Sequence, residues 1–153
     1  MNILLLYATY SSGTSMAAQT VSDTLTNHNH TVTIKLVEET DPSELAAYDT
    51  VILASPSWDY EGKEGQPHQH YVAFIKKLEG QTMPGKKFAV FGLGDSSYIH
   101  FCGAVDELEK FVNSLQGILV TPSLRIDGYF FDQDTNTQKL VSWADTLNTT
   151  LTK

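Results

Sequence analysis

A run of hydroxyl side chains surrounds a glycine near the start of the chain. Residues 9–15 carry six hydroxyl groups around Gly13, directly after an apolar run and before a segment with helical spacing. Free N–H groups at a helix N-terminus favour an anion, so this loop predicts a phosphate cradle. It lacks the lysine of a P-loop and the glycine spacing of a dinucleotide fingerprint, which disfavours ATP, GTP and NAD. Simple helix capping by the hydroxyls is an equally good interpretation of this loop alone.

Two aromatic residues stand where no helical or strand pattern requires a large ring. Trp58 lies four residues after one apolar run, and Tyr98 lies in a glycine-led turn after another. Rings from adjacent strand ends can sandwich a planar group, while backbone N–H groups of the turn bind its polar edge. Trp58 alone is better interpreted as packing its loop onto a sheet. Together with Tyr98 and the hydroxyl loop, it predicts a site for a phosphorylated planar heterocycle.

Short apolar segments alternate with helical ones and must position these loops. We predict strands over residues 2–8, 31–37, 50–54, 87–92 and 118–126, and helices over 14–27, 71–78, 104–115 and 140–151. Apolar strands joined by right-handed crossovers predict an α/β fold of three layers, a mainly parallel sheet with helices on both faces. Ligands bind beyond the carboxyl ends of such strands, where loops 9–15, 55–69 and 93–102 begin. We expect a single domain over residues 1–153.

The composition limits the partners of the chain. Its 153 residues include 18 acidic and 10 basic side chains, and the net charge of −8 repels nucleic acid and anionic membranes while favouring basic partners. No apolar run approaches the roughly 20 residues of a membrane-spanning helix, and residues 3–8 lack the basic lead-in of an export signal. Cys102 is the only cysteine, which fits a reducing compartment. We expect a cytoplasmic protein that binds neither nucleic acid nor membrane.

Two further segments have distinctive sequences, GLGDSSYIHFCGAVD at residues 92–106 and LRIDG at residues 124–128. The first resembles the third FMN loop of the short-chain bacterial flavodoxins almost residue for residue, and the second is similar to the fifth strand of that family. The resemblance covers essentially the whole chain and implies a five-stranded parallel sheet in the order 2-1-3-4-5. It also implies a monomer with non-covalently bound FMN and no substrate of its own. Such a protein carries single electrons from a reductase or ferredoxin-linked donor to a low-potential acceptor enzyme.

The resemblance further implies a set of FMN-binding residues. Residues 10–15 would hold the phosphate, Trp58 and Tyr98 would flank the isoalloxazine, and backbone groups of Asp95, His100 and Cys102 would meet its pyrimidine edge. The complete predicted cofactor site is Tyr10, Ser11, Ser12, Gly13, Thr14, Ser15, Ser57, Trp58, Asp59, Leu93, Gly94, Asp95, Tyr98, His100, Phe101 and Cys102.

Two residues depart from the pattern of this family. Tyr10 stands where the phosphate loop usually has Ser or Thr, and Asp59 stands where close relatives have glycine. The resemblance makes residue 59 part of a peptide whose carbonyl turns toward flavin N5 on one-electron reduction. Because a non-glycine residue resists positive φ, we expect Asp59 to narrow the gap between the two midpoint potentials, at a strain of about 1 kcal/mol.

The acidic residues of the loops suggest two further effects. Asp95, an uncompensated phosphate and the net charge of −8 predict a low second midpoint potential. Asp59, Glu61 and Glu64 either guide basic redox partners or form only a solvated face, and the sequence favours neither interpretation.

Other functions have weaker support. A quinone or azo reductase of the same fold, taking hydride from a nicotinamide, is the alternative function, and rapid reduction by NADPH alone would favour it. A phosphorylation-switched receiver domain needs acidic residues where this chain has Ala8, Thr9 and Ser55.

We interpret the side chains of three histidines and of the cysteine as structural rather than chemically active. We predict that His68 and His70 are surface residues rather than a metal-binding pair. His100 lies in the predicted flavin loop, where its backbone role needs no imidazole. Cys102 is interpreted as a small loop residue rather than a nucleophile, since no activating base is nearby in sequence.

Overall fold

The fold consists of parallel strands alternating with helices. The computed structural model describes the backbone of residues 1–153 and the side chains of residues 1–59 and 61–153. The elements in chain order are β1 (Asn2–Tyr7), α1 (Gly13–Asn27), β2 (Thr31–Leu36), β3 (Thr50–Pro56), β4 (Trp58–Tyr60), β5 (Lys63–Gln66), α2 (Gln69–Lys77), β6 (Lys87–Gly94), α3 (Gly103–Ser114), β7 (Ile118–Leu119), β8 (Leu124–Asp127) and α4 (Gln133–Leu151). Two short 3-10 helices, Val37–Glu39 and Pro42–Ala47, lie between β2 and β3.

The main sheet is parallel throughout, in the order β2-β1-β3-β6 with β7 and β8 both beside β6. The predicted α/β class and strand order are confirmed. The prediction of one continuous fifth strand over 118–126 is wrong, because β7 pairs with the start of β6 and β8 with its end. Pro122 lies between the two pieces and has no N–H to donate to a ladder. Its carbonyl instead accepts a hydrogen bond of 2.8 Å from Nε1 of Trp143.

Alternating side chains of the central strands build a core on each face of the sheet. In β1, Ile3 and Leu5 are buried against α1 and α4, whereas Leu4 and Leu6 are buried against α2 and α3. A strand buried on both faces reads as a continuous apolar run, which is why residues 2–8 predict β1 so clearly.

The predicted loop over residues 55–69 contains an antiparallel hairpin of β4 and β5, so that prediction needs correction. Its two-residue turn has positive φ at both positions, 50° at Glu61 and 77° at Gly62. Such turns match the twist of the flanking strands. The turn is hard to recognise in the sequence because Glu replaces the usual Asn or Asp.

The helices agree with the apolar periodicity, although some begin earlier than it predicts. The helix predicted over 140–151 begins at Gln133, since its first two turns are polar and the side chain of Asp132 caps it by accepting from the N–H of Thr135 (3.2 Å). Within the described residues, no helix is long and apolar enough to cross a bilayer.

Candidate functional site

The carboxyl ends of β1, β3 and β6 bring the three predicted loops to one edge of the sheet. Two pockets open there, with volumes of about 320 Å³ and 250 Å³. Both are lined by Ser57, Trp58 and Gly94, so they form one continuous cleft. The cleft has the size of a small-molecule site and lies where ligands bind in open parallel sheets.

The smaller pocket contains the start of α1 and has the chemistry of an anion site. Ser12 adopts the left-handed conformation (φ 67°), and its carbonyl accepts the first intrahelical hydrogen bond, from the N–H of Met16 (3.0 Å). The N–H groups of the first turn have no acceptors inside the helix. The Oγ1 atoms of Thr9 and Thr14 are buried and have no hydrogen-bond partner among the described residues. Buried unpaired donors beside a helix N-terminus fit a phosphate.

The larger pocket contains the two predicted aromatic residues. Trp58 is 46% exposed and Tyr98 is 58% exposed, although both rings line the pocket wall. Large exposed rings in a cleft are costly in water and suit stacking on a planar ligand. The 320 Å³ pocket also contains the acidic side chains Asp59, Glu64 and Asp95. Among the described residues, no lysine or arginine lines either pocket.

The β4–β5 hairpin carries Trp58 and is fixed to the start of α3. Oγ of Ser57 accepts from the N–H of Ala104 (3.1 Å). A carboxylate oxygen of Glu64 accepts from the N–H of Ile99 (2.9 Å), which ties the hairpin to the loop of Tyr98. The two backbones touch at Gly65 and Gly103, where a Cβ added to Gly103 would lie 2.6 Å from the Gly65 carbonyl oxygen. Only glycine permits this approach.

The third loop is held by hydrogen bonds that use its acidic residues. Oδ1 of Asp95 accepts from the N–H of Ser97 (2.8 Å). Hydrogen bonding from the side chain of Ser97, and then from this N–H, lowers the pKa of Asp95. Oδ1 of Asp127 accepts from the N–H of Ser96 (2.9 Å). The N–H of Gly128 donates to the carbonyl of Gly94 (2.9 Å), which joins the loop to the end of β8.

Cys102 is a buried residue that lines the larger pocket. It is 1% exposed and precedes α3 with φ 49°, and its Sγ lies 3.6 Å from the carbonyl oxygen of Ile126. Burial raises the pKa of the thiol to about 12, so it remains protonated at neutral pH. This chemistry is that of a packing residue rather than a nucleophile.

Most predicted site residues line the cleft. The larger pocket includes Ser57, Trp58, Asp59, Gly94, Asp95, Tyr98, His100 and Cys102, and the smaller one includes Tyr10, Ser11, Gly13, Thr14 and Leu93. Ser12, Ser15 and Phe101 belong to the same loops without lining either pocket, and Phe101 packs on the core beside α3 instead.

Sequence reasoning missed a fourth loop, which follows β8. Tyr129 and Phe130 from this loop line the smaller pocket, and the ring of Phe130 would lie 3.2 Å from a Cβ added to Gly13. The two adjacent aromatic residues directly after the fifth strand were the available signal. Glu64 and Gly65 of the hairpin were also missed as lining residues.

The prediction that His68 lies at the surface is wrong. His68 is 3% exposed and stacks on Tyr10, with 4.0 Å between ring centroids. Burial lowers its pKa. Among the described residues, no group of three potential ligands could hold a metal ion.

The fold and the cleft are those of an α/β protein with a site at the carboxyl edge of its sheet that suits a phosphorylated planar cofactor. The flavodoxin family model matches residues 5–142. A flavodoxin of Maridesulfovibrio salexigens is 33% identical over 142 residues, 92% of each chain. A flavodoxin of Nitratidesulfovibrio vulgaris is 30% identical over 151 residues, 98% of this chain and 99% of the relative. The crystal structure of oxidised flavodoxin 2 from Bacillus cereus superposes with a TM-score of 0.83 at 32% identity, over 94% of this chain and 95% of that one.

This chain belongs to the flavodoxin family. The family confirms the predicted function, electron transfer with FMN as the cofactor, by a carrier rather than an enzyme. The alternative of a quinone or azo reductase is not favoured.

Proposed function

We propose that residues 1–153 act as one flavodoxin domain whose cleft holds FMN without a covalent bond. In this proposal the phosphate lies against residues 10–15, and the isoalloxazine lies between Trp58 and Tyr98. Backbone groups of Asp95, His100 and Cys102 bind the pyrimidine edge. The observation that carries the proposal is the hydroxyl of Thr14, which is buried without a partner among the described residues, beside a helix N-terminus and next to an aromatic pocket.

The phosphate end relies on neutral donors. Because the lining of the smaller pocket includes no lysine or arginine among the described residues, the N–H groups of the first turn of α1 and the hydroxyls of Thr9, Ser11 and Thr14 supply the contacts. The helix has no acidic residue in its first turn that would compete with an anion. Such a site leaves most of the phosphate charge uncompensated.

FMN supplies the one-electron chemistry when it is bound, and the chain determines how easily that chemistry occurs. Trp58 and Tyr98 exclude water from the ring faces. Asp59, Glu64 and Asp95 surround the same pocket, so each added negative charge is repelled by three carboxylates and by the net charge of −8. We infer a low second midpoint potential from this arrangement.

We further propose that the carrier is a cytoplasmic monomer that meets basic redox proteins at the open side of this cleft. Ile99 and Phe131, in two of the surrounding loops, are 88% and 91% exposed and offer apolar contact, while the acidic residues supply attraction. A reductase or a ferredoxin-linked donor and a low-potential acceptor enzyme are the expected partners. The lone, buried Cys102 is compatible with a reducing compartment.

The test of the cofactor site is a parallel titration of the apo-protein with FMN and with riboflavin. We expect one FMN per chain and much weaker binding of riboflavin, because riboflavin leaves the donors of the smaller pocket unpaired. Equal affinity for the two flavins would refute the phosphate assignment, and absence of flavin binding would refute the proposal.

A second experiment tests the partner proposal. The reduced protein is mixed with a basic one-electron acceptor, cytochrome c, at increasing ionic strength. We expect the rate to fall steeply with salt, since screening weakens attraction between surface charges. A rate independent of salt would contradict the electrostatic part of the proposal.

A further inference from the structure

Tyr10, the residue that departs from the phosphate-loop pattern, lies in a continuous stack of rings. Its ring centroid is 4.3 Å from that of Trp58, with 33° between the planes. On its other side, the ring of His68 is 4.0 Å away at an angle of 29°. The pair with His68 is stacked and the pair with Trp58 is tilted, and both centroid distances are those of rings in contact. Tyr10 therefore links a wall of the flavin cleft to a buried histidine.

The histidine at the base of this stack is fixed in the fold. The N–H of His68 donates to Oγ of Ser55 at the end of β3 (3.0 Å). Its Nδ1 accepts from the N–H of His70 (3.0 Å), so the neutral ring carries its proton on Nε2. Its carbonyl accepts from the N–H of Tyr71 (2.8 Å), in the first turn of α2. With an exposure of 3%, His68 is a rigid support for the ring above it.

Helix α2, which begins directly after His68, is itself hydrogen-bonded to the central strands. The hydroxyl of Tyr71 donates to the carbonyl of Leu6 in β1 (2.7 Å) and accepts from the N–H of Ala54 in β3 (3.0 Å). The ring of His70 lies 4.4 Å from that of His68 between centroids, and Nδ1 of His70 lies 2.5 Å from a carboxylate oxygen of Glu38. The support under Tyr10 is thus tied to the sheet at several points.

Trp58 needs such a support because its own strand provides little. It lies in the three-residue strand β4 and is 46% exposed, so without a neighbour its indole has several accessible orientations. Tyr10 is 41% exposed and covers one face of the indole. Trp58 also lines both pockets of the cleft.

We propose that Tyr10 is a positioning residue, whose ring, supported by His68, holds the indole of Trp58 in place as a wall of the flavin pocket. This inference rests on the proposed function, because Trp58 is assigned there as a stacking partner of the isoalloxazine. It gives the Tyr10 ring a role at the aromatic end of the cleft rather than at the phosphate.

The decisive comparison is between Tyr10→Ser, which removes the ring, and Tyr10→Phe, which retains it. Phe131→Ser is the matched control, since Phe131 is a 91% exposed aromatic residue of a neighbouring loop outside the stack. All proteins are labelled with 5-fluorotryptophan and studied as apo-proteins by ¹⁹F NMR relaxation. The two tryptophans give two signals, and Trp143, which is 8% exposed and bonded to the Pro122 carbonyl, is the internal reference.

We expect Tyr10→Ser to increase the fast motion of Trp58 and to leave Trp143 unchanged. Tyr10→Phe and Phe131→Ser keep the wild-type relaxation of both signals. Unchanged relaxation of Trp58 in Tyr10→Ser would overturn the inference, and this arm requires no flavin. It therefore remains informative if the proposed FMN function fails.

Flavin titrations separate positioning of Trp58 from contact with the phosphate. For the titrations the ring is removed by Tyr10→Ala, because Tyr10→Ser would introduce the hydroxyl that the phosphate loop of the family usually carries. Tyr10→Ala is expected to weaken FMN and riboflavin by the same factor, about two- to tenfold, which corresponds to immobilising one side chain on binding. Tyr10→Phe is expected to restore both affinities. A loss confined to FMN would show that Tyr10 serves the phosphate and would overturn the inference, as would unchanged affinity for both flavins.

Discussion

Replacing Thr14 by Val is expected to have opposite effects on the empty protein and on cofactor binding. Oγ1 of Thr14 is buried, the residue is 1% exposed, and the hydroxyl has no partner among the described residues. A buried hydroxyl without a partner costs about 1–3 kcal/mol. Valine has a similar shape and helix propensity. The free energy of unfolding of the apo-protein should therefore rise by up to about 1–3 kcal/mol in Thr14→Val.

The same substitution should weaken FMN binding. A hydrogen bond to a charged group contributes about 1.5–3 kcal/mol, which corresponds to a roughly 10- to 150-fold loss of affinity. Riboflavin has no phosphate, so its affinity should stay unchanged. Thr50→Val is a matched control, since Oγ1 of Thr50 is also buried without a partner among the described residues but lies at the start of β3, away from the cleft. It should stabilise the apo-protein without affecting FMN.

Urea unfolding of the apo-proteins and calorimetric titration with both flavins measure these quantities. The reasoning would be refuted if Thr14→Val bound FMN as tightly as the wild type, or if it lost FMN and riboflavin affinity equally. A destabilised apo-protein would show that the Thr14 hydroxyl has an internal role instead.

Three further predictions concern the hairpin, the potentials and pH. Gly103→Ala places a Cβ 2.6 Å from the Gly65 carbonyl oxygen, so we expect a loss of about 1–3 kcal/mol of unfolding free energy and weaker FMN binding; an unchanged urea midpoint would contradict this. Asp59→Gly should widen the gap between the midpoint potentials by about 80 mV in a spectroelectrochemical titration, because relief of about 1 kcal/mol of strain in the one-electron-reduced state raises the first potential and lowers the second by about 40 mV each; an unchanged gap would refute the strain argument. Because burial lowers the pKa of His68, its stabilising contribution is complete above the unfolded value of 6.5 and is lost as pH falls below it. The unfolding free energy should thus decline from about pH 7 to 5, and less steeply in His68→Gln; an equally steep decline in His68→Gln would contradict this.

The sequence predicted the sheet well because its strands are buried on both faces. The continuous apolar runs at residues 2–8, 50–54 and 87–92 allow few other structures. The fifth strand was predicted less well, since β-branched residues on both sides of Pro122 hide the break between β7 and β8. The three loops begin at strand ends, so the prediction of the strands also gave the positions of the loops.

The contacts between loops were beyond sequence reasoning. Nothing in the spacing of Tyr10 and His68 indicates that their rings stack. Tyr10 follows β1 and His68 precedes α2, and only the folded chain brings these two segments together. The burial of His68 likewise results from tertiary packing in a polar-looking segment. Gly65 and Gly103 are both visible as glycines, but their mutual approach exists only in the folded hairpin.

Anaerobic stepwise reduction of the FMN-saturated protein, followed by its visible spectrum, tests the central claim most directly. We expect two separate one-electron steps, the second at low potential, and no rapid bleaching when NADPH is the only reductant. Failure to bind FMN would contradict the proposal that the cleft is a cofactor site. A single two-electron step with rapid reduction by NADPH alone would contradict the assignment as an electron carrier and favour a reductase.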